Sequence, residues 1–455
     1  MSEYYHLNSI ILVYHKMQRP HSSYYSVRTS YLKLLSSINV KTWAETINLE
    51  DSFARVLWFN VLSNTNIPSR NCSHMDGFAV RYVDIKECSR FRPVILNVLS
   101  ETRSGNKNNR NLIKGQSAKI ATGKPLPFGA DTIIPLEYAK FEGKEGTINI
   151  SSRFPKGSFV STAGSEIKRN TLLFRRRHII RAQDIGLLSL LGIRKLEVFK
   201  KPIVGVIPTG SELTNEFNNI KRGKILNTNS GVLSRLIESS GGVSLDLGIT
   251  SDNVEKIQAK IKQALSSCDI VLTTGGSSIG DRDLVAESLN AMGDPGIIVH
   301  GVRLDRGRVT GLAALQRKPI IILPGPIQGA VNAFIIFAQP LIRNMLGLPS
   351  NSKPLVLANL MQDWNARKRY QHFTKILYVK VRLSRSGQFN ALPVVGETTN
   401  ITVLTRTNGF ILIPEGISNL KKGQHVKIRI LPGLSFSSGN PIDCFYEDEN
   451  MNSNL

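Results

Sequence analysis

The sequence predicts a multidomain protein that combines an α/β fold with separate β-rich parts. The chain has 455 residues, a length that suggests roughly three domains. Strand and helix patterns alternate over residues 201–346, which is typical of βαβ units and a mostly parallel sheet. Short strand patterns separated by Gly and Pro occupy residues 66–150 and 350–432. They predict one β-rich domain before the α/β domain and another after it.

The other segments have mixed patterns. Apolar residues near helical spacing predict helix across residues 26–62. We group residues 26–65 with residues 151–200 as a helical and mixed domain, which makes residues 66–150 an insertion between its halves. Residues 1–25 lack periodicity and are expected to be a loosely ordered extension. The polar tail, residues 433–455, is expected to be disordered.

Net charge, cysteine spacing and hydropathy argue against several classes of protein. The net charge is +24, which favours anionic partners. The basic residues are spread along the chain and cluster only at Lys168–Arg181, where apolar residues interrupt them, so a solvated surface explains them better than a nucleic-acid site. The four cysteines form no CxxC pair, which gives no support to a disulfide framework or a zinc ribbon. No apolar run reaches the roughly 18 residues of a membrane span, so we expect a soluble, cytoplasmic protein.

Four predicted strands of the α/β part are each followed by a small, polar or acidic loop. IVGVIP precedes a loop that ends in Glu212, VSLDLGIT precedes Ser251 and Asp252, DIVLTT precedes GGSSIGDRD with Asp283, and PIIILP precedes GPIQG. Because ligands bind beyond the carboxyl ends of parallel strands, we expect these loops to converge on one site. In the last domain, ITVLT is predicted to be a strand like its neighbours.

The loops have the chemistry of an anion site. Glycines allow backbone N–H groups to approach an oxyanion, and a helix N-terminus favours phosphate. The expected ligand-binding residues are Thr209, Gly210, Gly275, Gly276, Ser277, Ser278 and Gly280. A Mg²⁺ ion bridging carboxylate and phosphate oxygens would reconcile an anionic ligand with Glu212, Asp252 and Asp283. Taken singly, Asp252 and Asp283 could instead cap the helices that follow them.

The chain resembles the molybdopterin molybdenumtransferase family, known as MoeA and matched by the E domain of gephyrin, and looks like an archaeal-type or divergent member. The resemblance runs from about residue 26 to 432. It is carried by seven segments in the family's order and spacing, which are SHMDGFAVR, IATGKPLPFGADTIIPLE, GSEIKRNTLL, IGLLSLLGI, VIPTGSEL, ILNTNSGVLSRLIESSGG and VLTTGGSSIGDRD.

The resemblance implies an elongated homodimer with a three-layer α/β domain, an inserted β-rich domain and a C-terminal β-barrel. It implies that adenylylated molybdopterin is cleaved with a divalent cation, that molybdate or tungstate enters the dithiolene, and that AMP leaves. The residues implied as catalytic are Asp76, Thr122, Glu212, Asp252 and Asp283, with Mg²⁺ held by the last three. Those implied as further ligand-binding residues are Ser211, Asn229, Arg308, Pro324 and Gly325. The active site would be shared across the dimer, and a molybdopterin adenylyltransferase and cofactor-accepting enzymes are implied as partners.

The chain departs from the family pattern in three segments, all on the molybdate side of the site. Asp305 stands in LDRGRVT where the family has a basic residue, PGPIQG replaces a PGNPVS-like turn, and Val403 falls where a serine is usual. Arg303 and Arg306 are candidates to compensate, since guanidinium groups bind oxyanions well. The departures leave open a paralogue with an altered oxyanion site that acts as a binding or scaffold protein. A second alternative is an adenylyltransferase-like enzyme, because the α/β domain resembles that of the molybdopterin adenylyltransferases.

Overall fold

The computed structural model describes residues 24–99, 111–142, 146–276, 283–349, 355–384 and 386–431. Contacts divide the chain into two compact units. One is Thr46–Val198, and the other joins Met1–Glu45 to Phe199–Leu455. Every described helix is too short or too polar to traverse a lipid bilayer.

The part of the chain up to residue 199 is mostly β. Its helices are α1 (Val27–Ser37), α2 (Tyr82–Ile85) and α3 (Ala182–Leu190). Its strands are β1 (Ala44–Asn48), β2 (Val61–Leu62), β3 (Cys72–Ser73), β4 (Gly77–Val80), β5 (Val94–Leu99), β6 (Gln116–Ile120), β7 (Thr132–Pro135), β8 (Ala139–Glu142), β9 (Thr147–Ile150), β10 (Val160–Ser161), β11 (Leu172–Phe174) and β12 (Lys195–Phe199). Six of these strands form one sheet in the order β7-β4-β6-β5-β9-β8. Its core includes the fully buried Phe78, Ile134 and Ile148.

The helix predicted across residues 26–62 is wrong beyond Ser37, apart from a short 3-10 helix at Leu49–Ser52. The apolar spacing of residues 49–57 suits a helix, but long-range backbone pairing replaces it. The N–H of Leu49 donates to the carbonyl of Arg194 at 2.8 Å, and the N–H of Leu57 donates to the carbonyl of His178 at 2.9 Å. Such tertiary pairing overrides a local pattern, because intrinsic helix preference is worth only a fraction of a kcal/mol per residue.

The middle of the chain forms an α/β sheet, in the order β16-β13-β17-β20-β19-β18. The strands of this region are β13 (Ile203–Pro208), β14 (Leu213–Thr214), β15 (Ile225–Leu226), β16 (Val243–Asp246), β17 (Ile270–Thr274), β18 (Pro295–His300), β19 (Gly311–Leu315) and β20 (Lys318–Leu323). Strands β16, β13, β17 and β20 are parallel neighbours, whereas β19 runs antiparallel to both β20 and β18. The predicted α/β class and the mostly parallel sheet are confirmed. The reversed strand β19 was not predicted.

Helices cover this sheet in two groups, as a three-layer arrangement requires. The helices are α4 (Asn229–Ser239), α5 (Val254–Ser267), α6 (Leu284–Ala291), α7 (Ile327–Ala333) and α8 (Gln339–Met345), with a π-helical turn at Phe334–Ala338 between the last two. Residues of α5 and α6 share one buried cluster with β13, β17 and β20. Residues of α4 and α7 belong to a second cluster.

The C-terminal part is a closed barrel, as expected, in the order β21-β24-β23-β25-β27. Its strands are β21 (Leu355–Leu360), β22 (Trp364–Asn365), β23 (Lys375–Leu383), β24 (Phe389–Pro393), β25 (Gly409–Ile413), β26 (Asn419–Leu420) and β27 (His425–Ile430). The strand predicted for ITVLT is wrong, since Ile401–Thr405 forms helix α9. Val403 is buried there against Ile327 and Val331 of α7, so tertiary packing overrides the β preference of its branched residues.

Candidate active site

The loops that follow β13, β16 and β17 are joined by backbone hydrogen bonds at the carboxyl edge of the α/β sheet. The N–H of Thr209 donates to the carbonyl of Thr274 at 2.7 Å. The N–H of Gly210 donates to the carbonyl of Thr250 at 3.0 Å, and the N–H of Thr250 donates to the carbonyl of Pro208 at 2.8 Å. The predicted convergence of these three loops is therefore confirmed. Thr209 itself is fully buried, and its Oγ1 has no hydrogen-bond partner among the described residues.

Ser211 and Asp252 form a reciprocal pair between two of these loops. The N–H of Ser211 donates to Oδ2 of Asp252 at 2.7 Å, and the N–H of Asp252 donates to Oγ of Ser211 at 3.0 Å. Asp252 does not cap the next helix, because Asn253 accepts from the N–H of Lys256 in that role. The pair fixes an exposed carboxylate at the edge of the sheet.

Glu212 lies close to the backbone of its own loop. Gly210 has a φ of +156°. A β-carbon at that glycine would lie 2.6 and 2.7 Å from the two carboxylate oxygens of Glu212. A side chain at position 210 would therefore displace the carboxylate of Glu212 from this position. Glu212 is exposed, so it remains available to a ligand or a metal ion.

Gly275 and Gly276 allow the third loop to pack against the first. Their φ angles are +78° and +63°. A β-carbon on Gly275 would lie 2.4 Å from the carbonyl oxygen of Thr209, and one on Gly276 would lie 2.9 Å from Cγ2 of Val285. Contact between protein segments thus accounts for both glycines. Of the other predicted ligand residues in this loop, Ser277, Ser278 and Gly280 lie outside the described residues.

Asp283 is buried and has two partners. Its Oδ1 accepts from the N–H of Ala286 at 2.9 Å, so Asp283 caps helix α6 as the simpler interpretation expected. Its Oδ2 lies 2.7 Å from Nε2 of His300. His300 was not predicted, and the sequence offers no signal for it, because the two residues meet only through the pairing of helix and strand.

A small cleft of about 180 Å³ is lined mainly by residues that follow β13 and by residues that follow β20. Its lining includes Leu213, Asn229, Thr274, Gly325 and Thr399. Nδ2 of Asn229 donates to the carbonyl of Gly325 at 2.8 Å. The structure thus brings together two residues that were predicted separately.

A larger cleft of about 550 Å³ lies beside the Gly210–Ser211 turn. Lys256 and Lys260 of helix α5 line it, and Nζ of Lys260 also donates to the carbonyl of Leu247 at 2.5 Å. This cleft therefore places two ammonium groups next to the loops that carry Glu212 and Asp252.

Asp76 and Thr122 form a second predicted constellation within the other compact unit. Oδ1 of Asp76 accepts from the backbone N–H of Thr122 at 2.7 Å and from its hydroxyl at 2.8 Å. These two hydrogen bonds, the backbone one first, hold the pKa of Asp76 below its usual value. Both residues are exposed. They are paired through space although 45 residues separate them in the sequence, as their numbers show.

The arginines expected to compensate for Asp305 are already engaged. Nη2 of Arg303 lies 3.1 Å from Oε2 of Glu415. Nη1 of Arg306 donates to Oε1 of Gln328 at 3.0 Å. Burial raises the pKa of Asp305, although Arg306 partly opposes the shift. The structure thus gives Arg303 and Arg306 intramolecular roles, whereas Arg308 forms no ion pair among the described residues.

Three family sequence models match successive parts of the chain. Residues 25–192 match the MoeA N-terminal region (domain I and II), residues 205–344 match a probable molybdopterin binding domain, and residues 358–431 match the MoeA C-terminal region (domain IV).

Curated proteins and solved structures agree with these matches. The chain is 28% identical over 405 residues to a molybdopterin molybdenumtransferase of Staphylococcus epidermidis, which covers 89% of this chain and 95% of that protein. It is 28% identical over 390 residues to the Bacillus subtilis protein of the same name, covering 85% and 90%. A structure of the molybdopterin biosynthesis MoeA protein from Pyrococcus horikoshii has 27% identity and a TM-score of 0.78, covering 90% of this chain and 100% of that one. The chain therefore belongs to the MoeA family, the molybdopterin molybdenumtransferases of molybdenum cofactor biosynthesis.

Proposed function

We propose that this transferase inserts molybdate or tungstate into adenylylated molybdopterin and releases AMP. The observation that carries the proposal is that two exposed carboxylates, Glu212 and Asp252, lie on loops that are hydrogen-bonded to each other and packed against the Gly275–Gly276 turn at the carboxyl edge of the α/β sheet. A pyrophosphate that is to be cleaved needs charge stabilisation in a fixed geometry. The hydrogen bonds between the described parts of these loops support such a geometry.

The donor set of these loops fits Mg²⁺. Carboxylate oxygens are ligands that Mg²⁺ prefers, and in phosphate sites it typically binds one or two of them together with phosphate oxygens and water. The described residues contain no group of three or more His, Cys, Asp and Glu side chains that could hold a metal by themselves. We therefore assign Glu212 and Asp252 as the carboxylate ligands. Asp283, which the resemblance adds as a third ligand, has partners at both of its carboxylate oxygens, the N–H of Ala286 and Nε2 of His300. When bound, Mg²⁺ would neutralise and polarise the phosphate oxygens.

The larger arrangement in our proposal follows the family. It comprises a homodimer with a shared active site, to which Asp76 and Thr122 are contributed by the second subunit, and the four-part division of the chain into residues 26–65 with 151–200, 66–150, 201–346 and 350–432. Ser211, Asn229, Arg308 and Pro324–Gly325 would contact the pterin or phosphate groups. The reaction would take place in the cytoplasm, with a molybdopterin adenylyltransferase supplying the substrate.

One assay tests the proposal. Purified protein is given adenylylated molybdopterin, Mg²⁺ and either molybdate or tungstate, and the release of AMP and the formation of cofactor are followed. We expect AMP release that depends on both the metal ion and the oxyanion.

Other outcomes would change the assignment. No AMP release with either oxyanion would refute the proposal, and release with tungstate alone would redefine the inserted metal. Formation of adenylylated molybdopterin from ATP and molybdopterin would identify an adenylyltransferase instead.

A further inference from the structure

Two buried aspartates of this protein each have a histidine as a partner, and they differ in what else they bind. Asp283, at the start of helix α6, is 5% exposed, and its Oδ2 lies 2.7 Å from Nε2 of His300. Asp184, in the first turn of helix α3, is 2% exposed, and its Oδ2 lies 2.6 Å from Nε2 of His178. The Asp184–His178 pair belongs to the other compact unit, so it is an internal comparison for Asp283–His300.

Asp184 is saturated with hydrogen-bond donors. Besides His178, it accepts from the backbone N–H of Arg181 at 2.9 Å, from Nε of Arg181 at 3.1 Å and from Nη2 of Arg181 at 2.9 Å. A carboxylate has about four acceptor positions, so these hydrogen bonds use them all. The guanidinium also compensates the buried negative charge. Support of helix α3 therefore accounts for Asp184 completely.

Asp283 is only half engaged. Among the described residues, its Oδ1 accepts from the N–H of Ala286 at 2.9 Å and its Oδ2 is partnered by His300. Roughly two of its acceptor positions therefore remain unused, and no lysine or arginine of the described residues forms an ion pair with it. Capping a helix needs one oxygen, which a neutral Ser or Asn supplies equally well. The capping role thus does not explain why a carboxylate stands at this position.

The hydrogen bond between His300 and Asp283 has one direction. An ionised carboxylate only accepts, so Nε2 of His300 carries the proton and donates it. His300 ends strand β18 and Asp283 precedes helix α6, so the bond holds the carboxylate against the sheet. The same helix packs on the glycine turn, since a β-carbon on Gly276 would lie 2.9 Å from Cγ2 of Val285. His300 therefore fixes a partly unused carboxylate beside the candidate active site.

We propose that His300 is a positioning residue for the transferase reaction, which holds Asp283 so that the unused acceptor positions of its carboxylate serve the Mg²⁺ site. The inference rests on the proposed function for the identity of the metal ion. Carboxylates that bind metal ions are themselves held by hydrogen bonds, and loss of such a bond typically costs about 10- to 100-fold in metal affinity or activity. The proposal gives a role to a histidine that no sequence motif indicated.

The first test compares three substitutions of His300. His300→Leu removes the donor, so kcat for AMP release should fall about tenfold or more, with little change in the KM for adenylylated molybdopterin. His300→Gln places an amide N–H near the position of Nε2 and should restore kcat. His300→Asn places it near the position of Nδ1 instead and should be as slow as His300→Leu. Equal losses in all three variants would show that the imidazole itself is needed and would overturn a positioning role.

The second test asks whether the effect passes through Asp283. Asp283→Asn removes the charge and keeps an oxygen that can cap helix α6. In that background, His300→Leu should cause little further loss of kcat, because both substitutions break the same interaction. Losses that multiply in the double variant would mean that His300 acts by another route and would contradict the proposal.

His178→Leu is the matched control, since it removes the equivalent bond from the buried Asp184. Both histidine variants should lower Tm, because each leaves a buried carboxylate without one of its donors. Only His300→Leu should also lower kcat. Equal losses of kcat in the two variants would show that the kinetic effect reflects general destabilisation, and would refute a positioning role.

Metal binding keeps this inference separable from the proposed function. Mn²⁺, a spectroscopic substitute for Mg²⁺, is titrated into the full chain with adenylylated molybdopterin present and molybdate left out, and free Mn²⁺ is followed by electron paramagnetic resonance. His300→Leu should raise the Kd of Mn²⁺ about tenfold or more, and His300→Gln should leave it near the wild-type value.

That result would support the role of His300 even if the wild type released no AMP once molybdate was added. An unchanged Kd in His300→Leu, in a protein that does release AMP, would refute the inference and leave the proposed function standing. A wild type that binds no Mn²⁺ would refute the inference as well.

Discussion

Two groups of charged side chains lie at the carboxyl edge of the α/β sheet, and they differ in their partners. The acidic segment consists of the loops that carry Glu212 and Asp252, and the basic segment is Arg303–Arg308. Glu212 and Asp252 are exposed, and among the described residues only Oδ2 of Asp252 is used within the fold, where it accepts from the N–H of Ser211. Across the sheet, Arg303 and Arg306 point their charged groups at Glu415 and Gln328. The acidic segment thus keeps binding capacity for a ligand, whereas much of the capacity of the basic segment is used within the fold. A charged residue near a site is informative only after its partners are known.

The largest expected effect follows from neutralising the acidic segment. Glu212→Gln and Asp252→Asn should each slow AMP release by about 100-fold, because each removes a negative charge from the site. Asparagine at position 252 keeps an oxygen that can accept from the N–H of Ser211. Asp246→Asn is the control, an exposed carboxylate on β16 that accepts from the N–H of Gly248. Single-turnover measurements with thermal denaturation should show slow variants of normal stability. Rates of AMP release within threefold of wild type would show that these carboxylates do not belong to the active site.

The acidic segment also depends on the glycine turn that supports it. Gly275→Ala should lower the free energy of unfolding by about 2 kcal/mol or more, because the new methyl group meets the Thr209 carbonyl and the backbone has positive φ. Gly248→Ala has nearly the same φ, +77°, with nothing within 4 Å of its added β-carbon, so it reports the backbone cost alone. Urea unfolding measures both. Equal losses would show that the close contact between the loops has no energetic importance.

Within the basic segment, we expect Arg308 to bind substrate and Arg306 to stabilise the fold. Arg308→Gln should raise the KM for molybdate about tenfold with little change in Tm, since one charge-assisted hydrogen bond is lost. Arg306→Gln should instead lower the free energy of unfolding by about 1 kcal/mol, because its bonds to Gln328 and Gly396 stabilise the fold. Kinetics and denaturation of both variants check this difference. A reversed result would make Arg306 the substrate ligand.

The smallest effect concerns the Asp76–Thr122 pair. Thr122→Val should raise the pKa of Asp76, although not to its usual value, because the backbone bond at 2.7 Å remains. Since the folded pKa lies below the unfolded one, the pair stabilises the fold above about pH 4, and this contribution is lost as pH falls through the folded pKa. Carbon NMR titration of the carboxyl group measures the shift. An unchanged pKa would mean that the hydroxyl contributes nothing.

The sequence predicts the acidic segment well and the basic segment poorly, for a physical reason. Alternating strands and helices force successive loops to one edge, so the meeting of the loops that carry Glu212 and Asp252 follows from connectivity alone. The partner of Arg306 is Gln328, and the partner of Asp283 is His300. Neither pair has the regular spacing along the sequence that predicts a contact within a helix or between strands. Only the packed fold brings the two residues of each pair together. Strands β19 and β24 escaped prediction for a related reason, since short segments such as GLAAL and FNALP lack an alternating pattern.

The hairpin that joins β19 to β20 has a consequence for engineering. Its two-residue turn is Gln316–Arg317, with φ of +53° and +59°, the backbone geometry of a type I′ turn. Asn-Gly is the preferred sequence there, because these residues tolerate positive φ without strain. Replacing the pair by Asn-Gly should raise Tm without changing the candidate active site at the carboxyl edge of the sheet, since the turn joins β19 to the amino end of β20. Such a variant would be a more stable parent protein, in which variants with destabilising active-site substitutions can still be purified and assayed.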